Sequence, residues 1–209
     1  EFTGRLCPAP CEQACVLGIV SPPVSIEMIE KYIVEKGFKE GWIKPIKPIQ
    51  NTGKKVAVVG SGPAGIACAD ILTRSGIKSH VYDKNEEIGG LLTFGIPEFK
   101  LEKSVVKRRR KILEEMGINF HLGQEIGKDI PFQKLYDEHD AVFLAMGTYT
   151  SLEGGFEGEK LPGVYKAIDY LISNTKKLLN MNTGKTEHIN FKNKKVIVLG
   201  GGDTAMDCN

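Results

Sequence analysis

A glycine-rich turn between a predicted strand and a predicted helix constrains the fold of this 209-residue chain more than any other feature. The β-branched run at 56–59 leads directly into Gly60-Ser61-Gly62-Pro63-Ala64-Gly65, and a helical pattern follows at 64–75. The first glycine permits a tight turn, the second lets the backbone approach a pyrophosphate, and the third lets helix and strand pack closely. The turn therefore predicts a nucleotide-binding βαβ unit with the pyrophosphate at the helix N-terminus. A glycine-rich turn without a ligand is the alternative.

The residues after this turn continue the alternation of strands and helices. A second strand at 80–82 ends at Asp83, 23 residues after Gly60, where a carboxylate can accept hydrogen bonds from a ribose. Helices are predicted at 102–116 and 164–179, strands at 119–122 and 141–146, and a loop at 151–163. This alternation predicts an α/β fold with a Rossmann-like parallel sheet.

A second glycine-rich turn occurs near the end of the chain. Gly200-Gly201-Gly202-Asp203-Thr204-Ala205 follows a predicted strand at 195–199, with alanine in the third small position. Two such turns suit a flavoprotein in which one holds FAD and the other NAD(P)H. The residue that reads the ribose 2′ position, and so sets the choice between NADP and NAD, is expected after residue 209. We expect this second unit to be truncated, and this piece alone not to oxidise NADPH catalytically.

Three of the five cysteines lie close together in a proline-rich segment at the start of the chain. Cys7, Cys11 and Cys15 are spaced so that their thiolates can converge on a soft metal, which favours an iron–sulfur cluster. Three thiolates are one short of a four-iron set, so the fourth ligand is expected from residues upstream of this piece or from an oxygen such as that of Glu30. Zinc and free thiols are the alternatives. No cysteine pair suits dithiol chemistry with a flavin, and Cys68 is interpreted as an inert thiol.

Composition limits the class of protein. The chain has 28 basic and 26 acidic residues, a net charge of +2, and no apolar run near the ~18 residues of a membrane span. We therefore expect no nucleic acid or membrane partner, and a cytoplasmic location because no secretory signal is visible. The basic run at 107–111 is interpreted as a solvated helix face. Because the chain begins without Met, we read it as a piece of a longer protein.

Three segments follow from these patterns. Residues 1–49 form a partial helical iron–sulfur segment that includes a helix at 25–36, with Ser25 as its cap and Gly37 as its stop. Residues 50–190 form a partial FAD-binding, Rossmann-like domain. Residues 191–209 begin a truncated NAD(P)H-binding domain.

Four stretches together carry a resemblance to a known family. Residues 1–12 (EFTGRLCPAPCE), the first turn, residues 89–97 (GGLLTFGIP) and residues 200–205 (GGGDTA) resemble the small (beta) subunits of bacterial NADPH-dependent glutamate synthases. The N-terminal half of dihydropyrimidine dehydrogenase and the flavin subunit of ferredoxin:NADP oxidoreductases share the layout. The resemblance implies that FAD takes hydride from NADPH, and that 4Fe-4S clusters pass electrons to a large (alpha) subunit that makes glutamate from glutamine and 2-oxoglutarate.

The resemblance also implies binding residues, and it assigns no catalytic residue. It implies FAD contacts at Gly60, Ser61, Gly62, Pro63, Ala64, Gly65, the stretch from Asp83 through Gly90 and Leu91, Lys100 and Ile126. It implies nicotinamide-nucleotide contacts at Gly201, Gly202, Asp203 and Thr204, and cluster ligands at Cys7, Cys11, Cys15 and Glu30. A flavin subunit for a ferredoxin- or pyrimidine-linked relative is one alternative. A non-catalytic dinucleotide-binding module is another.

Overall fold

A parallel sheet of four strands forms the centre of the computed structural model, which describes residues 1–181 and 188–209. The strands are β1 (Lys55–Val59), β2 (Lys78–Asp83), β3 (Asn119–Leu122) and β4 (Ala141–Leu144), in the spatial order β3-β2-β1-β4. Lys55 pairs with Lys78 and Val59 with Tyr82, so the turns after β1 and β2 meet at one edge of the sheet. The predicted α/β class and its parallel sheet are confirmed.

The α-helices of the described residues are α1 (Thr3–Leu6), α2 (Pro10–Gln13), α3 (Ile26–Lys39), α4 (Pro63–Arg74), α5 (Leu91–Phe94), α6 (Lys103–Met116), α7 (Phe132–Glu138), α8 (Ala167–Leu178) and α9 (Asp203–Asp207). Helices α4 and α6 pack on one face of the sheet and α7 on the other. One apolar cluster joins Val58 and Val81 to Val106 and Leu113 of α6. A second cluster on the opposite face joins Ala57 and Tyr82 to Leu135 of α7. Burial on both faces explains why β1 is a continuous apolar run.

The N-terminal segment folds as short helical turns against α3. The predicted helix is present, but it continues through Gly37 to Lys39, and Ser25 makes no side-chain cap. Instead, the Glu12 carboxylate accepts the Glu27 N–H at 2.8 Å, because a negative charge is favourable at a helix N-terminus. A Cβ on Gly4 would lie 2.8 Å from the backbone nitrogen of Lys31, so glycine is what lets α1 pack on α3.

The predicted strand at 195–199 is wrong. Lys195–Leu199 has no strand structure, and its apolar residues are largely exposed, Ile197 at 86% and Leu199 at 70%. A strand needs a neighbour for its backbone hydrogen bonds, and within the described residues no other strand lies beside this run.

The predicted boundary at residue 190 stays a prediction. No described helix is long and apolar enough to span a membrane.

Candidate dinucleotide-binding site

The first glycine turn is built into the sheet by close backbone contacts. Gly60 has a φ of +107°, and a Cβ there would lie 2.2 Å from the carbonyl oxygen of Ala145, just after β4. A Cβ on Gly65 would lie 1.8 Å from the carbonyl oxygen of Gly60. Real Cβ atoms do not come this close to backbone oxygens, so the fold itself requires glycine at both positions.

Gly62 differs from Gly60 and Gly65 because no contact within the described protein requires glycine at this position. Its backbone is extended, with φ −69° and ψ −178°, and a Cβ would find no atom within 4 Å. It caps the N-terminus of α4, where the first backbone N–H groups have no intrahelical acceptor. The first bond of this helix runs from the Ile66 N–H to the Gly62 oxygen at 2.9 Å. The result is an open cradle of backbone donors that suits a phosphate.

Asp83, the predicted ribose contact, holds the turn in place. One carboxylate oxygen accepts the Ser61 N–H at 2.8 Å and the Ser61 hydroxyl at 2.7 Å. The other accepts the Asn85 backbone N–H at 2.8 Å and its side-chain amide at 3.1 Å. Ser61 is completely buried. Asp83 therefore joins the end of β2 to the first turn, and its contact with a ribose stays a prediction.

A second wall of the cradle comes from the Gly89-Gly90 pair. The Gly89 N–H donates to the Ser61 oxygen at 2.8 Å, and a Cβ on Gly90 would lie 3.0 Å from the Gly62 Cα. Tyr149, which the sequence analysis missed, has its hydroxyl 3.8 Å from the same Gly90 Cβ position. Burial, and then the charge of Asp83, raise the pKa of Tyr149. Its place just after β4, at the edge where the strand order reverses, is the signal that could have found it.

A buried lysine braces the short helix beside this wall. Lys103 is 4% exposed, and its ammonium donates to the carbonyl oxygens of Leu92 at 3.1 Å and Ile96 at 2.5 Å. Burial lowers the pKa of Lys103 to about 8. Sequence reasoning missed this residue because a lysine at the start of a helix is usually solvated.

The structure places three other predicted FAD contacts in different surroundings. The ammonium of Lys100 forms an ion pair with Asp207 of α9, which ties the first unit to the second glycine turn. Ile126 packs beside Tyr82 and Leu135 in the apolar cluster under α7. Leu91 begins α5 and is partly exposed. The contacts of these residues with FAD stay predictions.

The second glycine turn copies the backbone of the first. Gly200 has a φ of +134°, and Gly202 is extended with φ −89° and ψ −179° as the N-cap of α9. Gly201, Gly202, Asp203 and Thr204 are all exposed. Cβ atoms on Gly201 or Gly202 would meet no atom within 4 Å. This turn has the local shape of the first one without the surrounding sheet.

The N-terminal cysteines have the chemistry of metal ligands but do not form a complete site. All three are free thiols, and the Cys7 sulfur accepts the Ala9 N–H at 3.4 Å. Hydrogen bonds from backbone groups, that of Val24 foremost, lower the pKa of Cys15, which favours the thiolate that metals bind. Among residues 1–181 and 188–209, no three histidine, cysteine or acidic side chains come together as a metal site, and Glu30 is exposed on α3.

Sheet, turn and open cradle together define a dinucleotide-binding protein. The comparisons assign the family: this chain belongs to the pyridine nucleotide-disulphide oxidoreductases, whose sequence profile matches residues 54–209. It is 54% identical over 211 residues to the glutamate synthase [NADPH] small chain of Halomonas elongata, and 51% identical to that of Escherichia coli (strain K12). Each match covers 100% of this chain and 45% of the relative, so the chain spans less than half the length of these relatives.

Two further comparisons agree with this assignment. The protein AegA of Escherichia coli is 48% identical over 211 residues, which is 100% of this chain and 32% of AegA. The structure of FprA from Mycobacterium tuberculosis in complex with NADPH superposes with a TM-score of 0.52 at 25% identity, over 56% of this chain and 28% of FprA. The resemblance inferred from the four sequence stretches is confirmed.

Proposed function

We propose that this chain is the electron-input part of a glutamate synthase small subunit. FAD binds at the first turn and NADPH at the second, and 4Fe-4S clusters pass electrons to a large subunit that makes glutamate from glutamine and 2-oxoglutarate. The family assignment and the similarity to the small chains support the proposal. The flavin, when bound, supplies hydride acceptance and the release of single electrons.

The open space at Gly62 is the observation that carries the FAD assignment. Gly60 and Gly65 are needed for packing, whereas a Cβ on Gly62 would project into empty space at the N-terminus of α4. A glycine that the fold does not need suits close approach of a ligand. The helix N-terminus favours an anion, so the pyrophosphate of a dinucleotide fits this cradle.

The residues around the cradle position the cofactor. The N–H groups of α4 bind the pyrophosphate, and Gly89-Gly90 with Tyr149 closes the opposite side. Asp83 fixes Ser61 and accepts from the adenosine ribose with any lone pair that Ser61 and Asn85 leave free.

The cysteine segment would supply thiolates to the clusters together with ligands from outside these residues. Cys7, Cys11 and Cys15 fit the donor chemistry because backbone N–H groups point at two of their sulfurs. Three thiolates that do not converge are not a four-iron site, so no cluster is assigned to this chain alone. Glu30 stays the proposed oxygen ligand.

Substitution of Gly62 tests the FAD assignment without disturbing the fold. We expect Gly62→Ala to weaken FAD binding by about ten-fold or more, since one misplaced methyl at a phosphate removes at least one charged hydrogen bond. FAD fluorescence titration measures the affinity, and circular dichroism checks that the fold is unchanged. Ser104→Ala, an exposed change on α6, is the matched control. Equal FAD affinity of Gly62→Ala and the wild type would contradict the proposal.

The electron-input role is tested in the full-length subunit that contains this segment. NADPH should bleach the flavin absorbance of that protein, and the large subunit should co-purify with it. A flavin that NADPH leaves oxidised would favour a non-catalytic dinucleotide-binding module. Bleaching without the large subunit would favour the second candidate, a flavin subunit for another acceptor, which the similarity to AegA supports.

A further inference from the structure

Three consecutive arginines in α6 are partly buried and engaged in ion pairs. The expectation of a solvated basic face holds for Lys107 and Lys111, which are exposed, and is wrong for Arg108, Arg109 and Arg110. Arg108 and Arg109 form ion pairs with carboxylates of the N-terminal segment, whereas Arg110 forms an ion pair with Glu87, in the loop after β2. Helical spacing sends neighbouring side chains about 100° apart, so one short run can reach two distant segments.

Arg108 and Arg109 hold the cysteine segment. Arg108 forms a two-pronged pair with Glu35 of α3, at 3.0 and 2.6 Å, and also bonds to Glu1. Arg109 bonds to the other oxygen of Glu1 at 2.7 Å. Arg108 also lies 3.7 Å from the centre of the Phe38 ring. Such bidentate pairs fix geometry as well as contributing energy, so they fix α3 on α6.

Arg5 extends this network into the turn that precedes Cys7. Its guanidinium donates to Glu35 at 2.5 Å and to the Glu1 carbonyl oxygen at 3.2 Å. The hydrogen bond from Arg108 is the main cause that lowers the pKa of Glu35 to about 2. Glu1 has 3% of its side chain exposed, so this carboxylate depends on its arginine partners.

Arg110 holds the opposite side, the loop that leads into the Gly89-Gly90 wall. It donates to Glu87 at 2.9 Å and to Glu114 of its own helix at 2.8 Å. Glu87 is buried, and the same carboxylate oxygen accepts the Ile88 N–H at 2.9 Å. The next residue, Gly89, donates to Ser61 of the first turn. A continuous chain of bonds therefore runs from Arg110 to the dinucleotide cradle.

We propose that α6 is a positioning element that holds two regions at a fixed distance and orientation. Arg108 holds the cysteine segment, residues 1–39, and Arg110 holds the flavin cradle, which is the first glycine turn with the Gly89-Gly90 wall. The proposal rests on the proposed function, because it assigns FAD to the cradle. Neither arginine touches the cradle directly, so both act through their carboxylate partners. These ion pairs would keep the flavin, the electron donor, at a fixed distance from the cysteine segment that binds the acceptor cluster.

Hydrogen exchange of single-residue variants tests which segment each arginine holds. We expect Arg108→Ala to speed amide exchange in α1 and α3 by about ten-fold, with exchange at 88–94 unchanged, since Glu1 and Glu35 each lose one of their two arginine partners. Arg110→Ala should speed exchange at 88–94 by about ten-fold and leave exchange in α1 and α3 unchanged. Lys111→Ala is the matched control on the same helix, because its side chain is 78% exposed and its pair with Glu115 is 3.9 Å long. Unchanged exchange in both arginine variants would overturn the proposal.

FAD affinity separates positioning from general stability. Arg110→Ala should raise the FAD dissociation constant about ten-fold, whereas Arg108→Ala should leave it unchanged. Arg110→Lys keeps a cation beside Glu87 and leaves the Glu87 bond to the Ile88 N–H in place, so it should retain more of the affinity than Arg110→Ala, which a merely structural loss would not predict. An FAD affinity that falls equally in both single variants would overturn the division of roles. A wild-type full-length subunit that binds no FAD would contradict the proposed function, while the exchange measurements still decide whether the arginines hold the two segments.

Discussion

The two glycine turns have nearly the same backbone and very different surroundings. Gly60 and Gly200 both have positive φ, and Gly62 and Gly202 both cap a helix in the extended conformation. The first turn follows a strand that is paired on both sides, and a Cβ on its first glycine would strike a backbone oxygen at 2.2 Å. The second follows a run without strand structure, and a Cβ on Gly200 would come no nearer than 3.7 Å to the Ala205 Cβ.

The comparison separates what local sequence determines from what neighbours determine. Glycine and the small residues that follow it set the turn and start the helix in both places, because the conformational freedom of glycine is a local property. Strand formation depends on hydrogen-bonding partners that are distant in sequence, and among the described residues such partners flank β1 and do not flank 195–199. The third small position of each turn also depends on its neighbours. It is Gly65 in the first turn, where helix and strand are in contact, and Ala205 in the second, where they are not.

The largest expected difference between the two turns is in amide hydrogen exchange. The strand amides of β1 lie in a ladder that ends with the Gly60 N–H bonded to Tyr82 at 2.8 Å, so their exchange needs global unfolding. Within the described residues, the amides of 195–199 form no backbone hydrogen bond. We expect protection to differ by at least about three orders of magnitude, as read by mass spectrometry of peptic peptides. Equal protection of the two runs would show that 195–199 is a paired strand.

Substitution at the third position of each turn should have unequal effects on stability. A methyl at Gly65 would lie 1.8 Å from the Gly60 oxygen, so Gly65→Ala should lower the free energy of unfolding by about 3 kcal/mol, at the upper end for overpacking. Ala205→Gly should destabilise only helix α9, by the difference in helix preference of about 1 kcal/mol, and leave the global unfolding transition unchanged. Urea unfolding followed by circular dichroism measures both. A Gly65→Ala variant as stable as the wild type would refute the close helix–strand contact.

Much of this fold follows from patterns that are local in sequence. Strand β3 at Asn119–Leu122 and helix α6 at Lys103–Met116 match the predictions to within a residue, because their apolar periodicity is strong and glycine ends the helix. The turn residues Gly60, Gly62 and Gly65 are placed as the motif predicts.

The parts that sequence reasoning missed depend on pairs far apart in the chain. Glu12, not Ser25, caps α3, and Arg108 reaches Glu35 across 73 positions of sequence. The second bond of Asp83, to the Ser61 hydroxyl, depends on where the end of β2 meets the turn after β1. Periodicity and spacing carry no information about such contacts, because they are set by packing rather than by local conformation.

Acid should destabilise the sheet around the first turn through a histidine cluster. His80 lies 3.0 Å from His121, and burial, followed by the charges of His121 and Lys78, lowers the pKa of His80 to about 4 from its ordinary 6.5. The unfolded chain therefore binds more protons between pH 6.5 and 4, so stability falls as the pH drops through that window. His80→Phe should flatten the fall, as measured by the thermal midpoint, and His188→Gln, outside the sheet, should not. A wild-type midpoint that is constant across the window would contradict the neutral His80.

The smallest expected effect concerns the open middle positions of the two turns. Gly62 and Gly202 have allowed backbone angles for alanine and no atom within 4 Å of a Cβ. Gly62→Ala should therefore raise the free energy of unfolding by about 0.4–1 kcal/mol, because alanine has less freedom to lose from the unfolded chain. Gly202→Ala should slow exchange of the Ala205 and Met206 amides, which bond to the Gly202 oxygen, by less than about ten-fold, and leave the global midpoint unchanged. Destabilisation of more than about 1 kcal/mol by Gly62→Ala would show that the protein itself fills the cradle, and the space would then not be there for a phosphate.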